Sequence, residues 1–131
     1  KLPINDYIVD SAGTGHWHVG NPPDKRSILT AEKNGIDITK QRGKLFNPSF
    51  FQEYDYIYVM DTTNYADVIK MAKTDEHKKK VHLILDELFP DENKAVPDPY
   101  YGTQKDFQEV YDLLDHATDV VISKIKNGTI R

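Results

Sequence analysis

Residues 96–102 have the composition of a loop that could carry acid–base chemistry. Asp98 lies between Pro97 and Pro99, and a proline restricts the residue before it to extended conformations. A carboxyl group that folding has already positioned needs little further ordering when a ligand arrives, which suits a general acid. The same composition is typical of a rigid surface turn whose neighbouring tyrosines cover the core. The loop alone leaves both interpretations open.

The other reactive residue types do not suggest a metal or cofactor site. The sequence contains no cysteine, so it offers no disulfide, no thiolate metal ligand and no cysteine nucleophile. His16 and His18 alternate in a predicted loop without a nearby set of carboxylates, while His77 and His82 lie in polar or strand contexts. We therefore expect neither a bound metal nor another cofactor.

The size and charge of the chain narrow the class of partner. With 131 residues, of which 38% are hydrophobic, the chain has the apolar content of a single globular domain, which we assign to residues 1–131. The formal net charge of −4 argues against nucleic acid, because phosphate backbones are held by clustered basic residues. No apolar run approaches the ~20 residues that span a bilayer. We expect a soluble, cytoplasmic protein that binds a protein or small-molecule substrate.

The elements that must position this loop can be predicted from short apolar runs. Residues 7–9, 56–60 and 81–85 are short and rich in β-branched or aromatic residues, which predicts three strands. The run at 56–60 lies between two aspartates, as expected for an interior strand of a parallel sheet. Strands that alternate with helices predict an α/β fold with a parallel sheet flanked by helices and right-handed crossovers.

Capping residues and apolar periodicity predict the helices. Asp24 can cap a helix that runs to about Asn34, where Gly35 is a natural stop. Thr62 or Thr63 can cap the next helix. The apolar face of that helix comprises Tyr65, Val68, Ile69 and Ala72. The apolar face of a longer closing helix comprises Phe107, Val110, Leu114, Ala117 and Val121.

Several segments together resemble one known family. Residues 96–102 resemble the acid loop of the low-molecular-weight protein tyrosine phosphatases, and residues 10–14 with 17–23 resemble the loop flanking that family's active site. Residues 54–61 are similar to its strand ending in Met-Asp, and residues 106–107 to the start of its last helix. The matches follow the family's order along essentially the whole chain. The resemblance implies a phosphotyrosine phosphatase I-like, Rossmann-like three-layer fold.

The resemblance also implies an activity and roles for individual residues. The family hydrolyses phosphotyrosine proteins or small aryl phosphates through a phosphocysteine intermediate, without a metal. By this resemblance Asp98 protonates the leaving phenolate and then acts as base for the hydrolytic water. Trp17 and His18 match the aromatic wall at the entrance, and Tyr100 and Tyr101 match the tyrosines beside the acid. A half-buried anchor is the alternative for Trp17, and an idle surface imidazole for His18.

Three further residues match positions around the family's phosphate loop. Ser11 and Asp61 match residues that support this loop, and Arg42 resembles the arginine after the second helix. Ser11 and Asp61 are equally well suited to capping local backbone, so the sequence leaves that alternative open.

The family's nucleophile motif is absent from the sequence. In the family a cysteine, five further residues, an arginine and then Ser or Thr hold the phosphate between the first strand and the first helix. The match begins at what would be the family's second strand, so we expect that the first strand, the phosphate loop and the first helix are missing. The chain alone is then predicted to be inactive and to self-associate through the unpaired part of the sheet.

Two other functions stay open at this point. A non-catalytic module that binds phosphotyrosine or a protein partner would need no nucleophile, although it would lack the family's main contacts to phosphate. Arsenate reductase belongs to the same superfamily but needs redox cysteines in its later half, and this chain has none. The tyrosine-rich acid loop favours the phosphatase over the reductase.

Overall fold

The computed structural model describes residues 9–15, 19–99 and 102–126. In chain order the elements are α1 (Lys25–Lys33), α2 (Phe50–Glu53), β1 (Ile57–Val59), α3 (Thr62–Met71), α4 (Asp75–Lys79), β2 (Val81–Leu83), a 3-10 turn (Ile84–Glu87) and α5 (Gln104–Lys126). The strands β1 and β2 pair in parallel, with Ile57 opposite Val81 and Val59 opposite Leu83. Because successive side chains of a strand point to opposite faces, this pair can carry a core on each side.

One apolar cluster lies on the face of the sheet covered by α2 and α3. Its buried members are Phe51, Ile57, Val59, Val68, Val81 and Leu83. Phe51 is fully buried, which explains why the short helix α2 forms at this point. Burial of an aromatic side chain of this size contributes about 1.5–3 kcal/mol, enough to fix a helix of one turn.

A second apolar cluster lies beneath α5. It contains Ile84, Leu85, Val96, Ala117 and Val121, with Tyr58 packed against it from β1. Tyr58 thus leaves the sheet on the face opposite to Ile57 and Val59. Helices on both faces of a parallel sheet confirm the predicted α/β architecture.

The helix predicted after Asp24 is confirmed. The carboxylate of Asp24 accepts a hydrogen bond of 2.8 Å from the Arg26 N–H, which caps α1 at its first turn. The helix ends at Lys33, and Gly35 follows with φ of +79°, a conformation that favours glycine.

The cap predicted for the following helix is wrong by one residue. Asp61, not Thr62 or Thr63, caps α3, and its Oδ1 accepts a hydrogen bond of 2.7 Å from the Asn64 N–H. Asp61 has extended backbone at the end of the strand, whereas both threonines already lie inside the helix. The carboxylate therefore occupies the position from which a side chain reaches the third helical N–H.

The strand predicted at residues 81–85 is too long. β2 ends at Leu83, and Ile84 and Leu85 enter the 3-10 turn, where both are buried against α5. A short apolar run does not distinguish a strand from another buried segment, so periodicity could not locate this end.

The strand predicted at residues 7–9 lies outside the described residues except for Val9. Val9 is 79% exposed, and it belongs to none of the strands in the described residues. In the described part of the chain β1 pairs only with β2, so the expectation of a further strand beside β1 stays a prediction. None of the helices in the described ranges combines the length and the apolar character that crossing a membrane requires.

Candidate active site

The N-terminal end of the acid loop, residues 96–102, is fixed to the sheet. Val96 is buried in the cluster beneath α5, and its N–H donates a hydrogen bond of 2.9 Å to the carbonyl of Met60, directly after β1. Asp98 follows two residues later and is exposed. The loop is thus attached where β1 ends, and the carboxyl ends of parallel strands are where α/β proteins bind ligands.

The C-terminal end of the acid loop is fixed to the start of α5. The Gly102 N–H donates a hydrogen bond of 2.8 Å to the Pro99 carbonyl, and the Thr103 N–H donates one of 2.8 Å to Asp106 Oδ2. A Cβ atom at Gly102 would lie 2.9 Å from Cβ and Cγ of Asp106, closer than such atoms approach one another. The position therefore requires glycine.

Asp61 lies next to the point where the acid loop joins the sheet. It follows Met60, whose carbonyl holds Val96, and its side chain is half-buried. The carboxylate of Asp61 is used as the cap of α3. The capping alternative is what the structure shows, and the support of a phosphate loop stays a prediction.

Ser11 and Arg42 are brought together by two glycine-rich segments. A parallel bridge joins Gly13 to Leu45, with the Gly13 N–H donating a hydrogen bond of 2.8 Å to the Lys44 carbonyl. Ser11 and Arg42 both line the resulting open cavity, whose volume is about 130 Å³. The Arg42 guanidinium donates hydrogen bonds of 2.8 and 2.7 Å to the carbonyls of Thr39 and Gln41. Ser11 and Arg42, 31 positions apart by their numbers, thus meet in one place.

Lys44, which lines the same cavity, belongs to a polar cluster with Asp10 and Tyr54. The Lys44 ammonium donates a hydrogen bond to Asp10 and forms an ion pair with it, and the Tyr54 hydroxyl donates one of 3.2 Å to Asp10 Oδ2. The hydrogen bond from Lys44 is the main reason that the pKa of Asp10 is lowered and that of Lys44 raised. Partial desolvation, followed by the charge of Asp10, raises the pKa of Tyr54. Sequence analysis missed this cluster because its members are far apart in the chain.

Arg26 is a side chain near the acid loop that sequence analysis also missed. Its Nη1 lies 3.3 Å from the Gly102 carbonyl, to which it donates a hydrogen bond, and its guanidinium carbon lies 4.5 Å from the centre of the Phe107 ring. Its Nε and Nη2 each lie 3.1 Å from the carboxylate of Asp24. The sequence shows only that an arginine stands two residues after a predicted helix cap. That pattern does not indicate the contact of Arg26 with Gly102.

Four predicted site residues lie outside the described residues. These are Trp17, His18, Tyr100 and Tyr101. The aromatic wall and the two phenols beside the acid therefore stay predictions. Within the described ranges, no three side chains of the metal-binding types are grouped so that they could hold one ion.

Comparison with known proteins identifies what this arrangement resembles. A family model described as low molecular weight phosphotyrosine protein phosphatase matches residues 2–129. A low molecular weight phosphotyrosine protein phosphatase of Schizosaccharomyces pombe is 40% identical over 88% of this chain and 73% of its own length. A putative low molecular weight protein-tyrosine-phosphatase of Synechocystis is 36% identical over 90% of this chain and 74% of its own length.

Solved structures give the same result for the fold. A crystal structure of a protein tyrosine phosphatase from Entamoeba histolytica, with Hepes in its active site, superposes with a TM-score of 0.87 at 32% identity. The match covers 96% of this chain and 80% of that one. A product-state mimic of a protein tyrosine phosphatase from the same organism gives a TM-score of 0.86 at 30% identity, over 97% of this chain and 79% of that one. The Rossmann-like α/β fold is thereby confirmed.

Proposed function

Because this chain belongs to the low molecular weight phosphotyrosine protein phosphatase family, we propose that it serves the hydrolysis of phosphotyrosine proteins or small aryl phosphates, with Asp98 as the general acid. The observation that carries the proposal is the attachment of the acid loop at both ends. Val96 is bound to the end of β1, and the Gly102 carbonyl is bound to Arg26. The next residue, Thr103, is bound to Asp106 in the first turn of α5. A carboxyl group between two fixed points is held ready for a substrate, which lowers the ordering cost of the chemical step.

In the proposed reaction Asp98 acts twice. As a neutral acid it gives its proton to the phenolate oxygen while the P–O bond breaks and a cysteine thiolate forms a bond to phosphorus. As a carboxylate it then takes a proton from the water that attacks phosphorus, while the S–P bond breaks and inorganic phosphate leaves. Charge develops on the departing phenolate only in the transition state, so a positioned acid lowers the barrier without tightening substrate binding.

The thiolate in this scheme is not among the 131 residues, which contain no cysteine. We therefore expect the chain by itself to show no turnover of an aryl phosphate above the buffer rate. A serine or threonine does not replace cysteine here, because only the thiol ionises easily enough to supply a nucleophile near neutral pH. The proposed partner of Asp98 is the family's loop of cysteine, five residues, arginine and Ser or Thr.

The remaining site residues are proposed to surround the phosphorylated ring and the phosphate loop. Trp17 and His18 would form the wall at the entrance, and Tyr100 and Tyr101 would flank the ring beside the acid. For Ser11 and Arg42, the shared cavity of about 130 Å³ supports a joint role next to the phosphate loop. The proposal for Asp61 is supported by its place directly after Met60, which holds the acid loop.

The test uses this chain extended at Lys1 by the cysteine-bearing strand, loop and first helix of a relative. Single-turnover rates are measured for aryl phosphates whose phenols span a range of acidities. Asp98→Asn should slow the reaction of substrates with poor leaving groups by roughly 10²–10⁴-fold, the effect typical of general acids. Substrates with good leaving groups should be slowed far less. Binding of inorganic phosphate should not change, because the acid does not hold the phosphoryl oxygens.

Asp91→Asn is the matched control for that experiment. Asp91 is an exposed aspartate in the segment leading to the acid loop, and its φ of 63° is a conformation that asparagine tolerates. The control should leave all rates unchanged. An equal deficit for good and poor leaving groups in Asp98→Asn would show that Asp98 is not the proton donor, and the rigid surface turn would then be the correct interpretation.

Binding without turnover is the second candidate, and it is favoured by the absence of cysteine. It predicts that the 131-residue chain binds a phosphotyrosine peptide more tightly than the same peptide without phosphate. Isothermal titration with the two peptides decides between the candidates, because a catalytic fragment without its phosphate loop should bind both peptides equally weakly.

A further inference from the structure

We propose that Arg26 is a positioning residue for the acid loop, holding its C-terminal end at the distance from the sheet that Asp98 requires. The inference rests on the proposed role of Asp98 and extends it to a side chain outside the loop. Arg26 lies in the first turn of α1, 76 positions before Gly102. Its contacts connect the segment that ends at Asp24 with the segment that ends at Gly102.

The side chain of Arg26 is held from three directions. On one side the carboxylate of Asp24 accepts hydrogen bonds from Nε and Nη2, each of 3.1 Å. This bidentate geometry fixes the plane of the guanidinium. Below, the ring of Phe107 lies 4.5 Å from the guanidinium carbon. The remaining Nη1 is thereby directed at the Gly102 carbonyl, 3.3 Å away. The contacts that orient the donor thus lie outside the acid loop.

The backbone around Arg26 is tied to the same region. The Gln104 side-chain amide donates a hydrogen bond of 3.3 Å to the Arg26 carbonyl and another to the Thr30 hydroxyl. The hydroxyl of Thr30, a buried residue, donates one of 2.9 Å to that same carbonyl. The first turns of α1 and α5 thus form one polar junction, and Gly102 lies at its edge.

The two ends of the acid loop depend on different contacts. The end at Val96 is held by burial and by the backbone bond to Met60, neither of which involves α1. The end at Gly102 is held by the close approach of Asp106 and by Arg26, while its bond to Pro99 lies within the loop. Removing the guanidinium should therefore loosen one end of the loop and leave the other unchanged, which global destabilisation would not do.

The experiment measures amide hydrogen exchange in the ¹⁵N-labelled 131-residue chain. In Arg26→Gln the Gly102 amide should exchange about tenfold faster, the loss expected for a charged hydrogen bond. In Arg26→Lys the acceleration should be about threefold, because lysine keeps the charge over Phe107 but lacks the planar fork. The Val96 amide should exchange at the wild-type rate in both variants.

Lys105→Gln is the control of equal charge change. Lys105 lies in the first turn of α5 but pairs only loosely with Glu109, at 4.0 Å, and its side chain is 83% exposed. Lys105→Gln should change the exchange rate of neither the Gly102 amide nor the Val96 amide. Equal acceleration of Gly102 and Val96 in Arg26→Gln, or no acceleration of either, would overturn the proposal, since the arginine would then be a general stabiliser or irrelevant to the loop.

A catalytic measurement in the extended chain provides the second readout. Arg26→Gln should lower kcat for poor leaving groups and leave KM unchanged, because the acid is displaced while phosphate binding is intact. A rise in KM with unchanged kcat would also overturn the proposal. If Asp98→Asn shows no dependence on the leaving group, the proposed function fails, whereas selective loosening at Gly102 would still establish what Arg26 holds.

Discussion

The molecule contains two clusters of the same composition, a tyrosine, a carboxylate and a lysine, in opposite surroundings. The exposed cluster comprises Asp10, Lys44 and Tyr54 beside the open cavity. The half-buried cluster comprises Tyr58, Glu87 and Lys124 beneath α5. The side chain of Asp10 is 43% exposed and that of Glu87 only 11%. The two lysines are each 40% exposed, so the surroundings differ mainly at the carboxylates, of which that of Glu87 is largely shielded from water and that of Asp10 is not.

The half-buried cluster connects three elements of the fold. Glu87 belongs to the 3-10 turn, and its Oε2 lies 2.6 Å from the Lys124 ammonium on α5. Its Oε1 lies 3.5 Å from the hydroxyl of Tyr58 on β1, which donates a long hydrogen bond. Burial, followed by the charge of Glu87, raises the pKa of Tyr58 well above its ordinary value. The exposed cluster joins only loop segments and the end of α2, where water competes for every partner.

The largest effect should come from Glu87→Gln. The amide keeps the shape of the side chain but leaves the Lys124 ammonium without its partner in a half-buried position. Removing one member of a buried pair costs 3–5 kcal/mol, and since Lys124 is 40% exposed we expect about 2 kcal/mol of unfolding free energy. Urea titration followed by circular dichroism measures it.

Glu109→Gln is the control for this substitution. It makes the same chemical change on α5, in an ion pair whose members are 64% and 83% exposed. We expect a change near zero, as for most surface pairs. A loss in Glu109→Gln as large as that in Glu87→Gln would mean that burial does not distinguish the two clusters.

The clusters also show which parts of the molecule can be predicted from sequence. The cap at Asp24 and the stop at Gly35 were predicted correctly, because capping and left-handed backbone depend on neighbours within four residues. The pairing of Glu87 with Lys124 joins residues 37 positions apart by their numbers, and no local pattern indicates it. The same holds for Arg26 and Gly102, which are 76 positions apart.

The candidate site divides in the same way. The prolines of residues 96–102 indicated a rigid loop around Asp98, because prolines restrict the backbone through their own chemistry, and the role of Asp98 as proton donor stays a prediction from the family resemblance. The attachments of that loop to Met60 and Arg26 depend on how α1, β1 and α5 are arranged, and only the fold supplies them. The short helix α2 was not predicted, since one turn is too few to show a period.

A smaller effect is expected from Asp10→Asn, and it should depend on salt and pH. The pKa of Asp10 is lowered in the folded chain, chiefly by the hydrogen bond from Lys44, so its contribution to stability is present above the ordinary pKa of 3.8 and is lost as pH falls through the folded pKa. At neutral pH the variant should be slightly less stable than wild type. The difference should disappear in 1 M salt and at pH values below the folded pKa of Asp10, because screening and protonation each remove the pair.

Urea titrations at several salt concentrations and pH values test this, with Glu87→Gln measured in parallel. The Glu87 deficit should persist in high salt, since a pair with one member 11% exposed is poorly screened. If salt removed both deficits equally, the environment of the two carboxylates would be the same and the comparison would fail.

The smallest effect at neutral pH should come from removing the phenol hydroxyls. Tyr58→Phe keeps the ring in the cluster beneath α5 and removes a long hydrogen bond, so we expect about 0.5 kcal/mol. Tyr54→Phe should be nearly neutral because its hydroxyl is an additional donor to a carboxylate that Lys44 already satisfies. At this pH the two variants are hard to tell apart, and the distinction appears in alkali.

Alkaline pH separates the two tyrosines because burial opposes ionisation of Tyr58 in the folded state. The pKa of Tyr58 in the folded chain is raised above the ordinary 10.0. Its contribution to the free energy of unfolding is therefore complete below pH 10. That contribution is lost as pH rises toward the folded pKa, because in this range the phenol ionises freely only in the unfolded chain. Wild type should therefore lose stability above pH 10 more steeply than Tyr58→Phe, which has no proton to lose. The pKa of Tyr54 is also raised, by partial desolvation and Asp10, yet its hydroxyl lies near the surface and Tyr54→Phe should follow wild type closely. Thermal unfolding between pH 8 and about 11 measures these slopes. Equal slopes in wild type and Tyr58→Phe would show that the phenol of Tyr58 reaches water, and the two clusters would then differ in position but not in their chemistry.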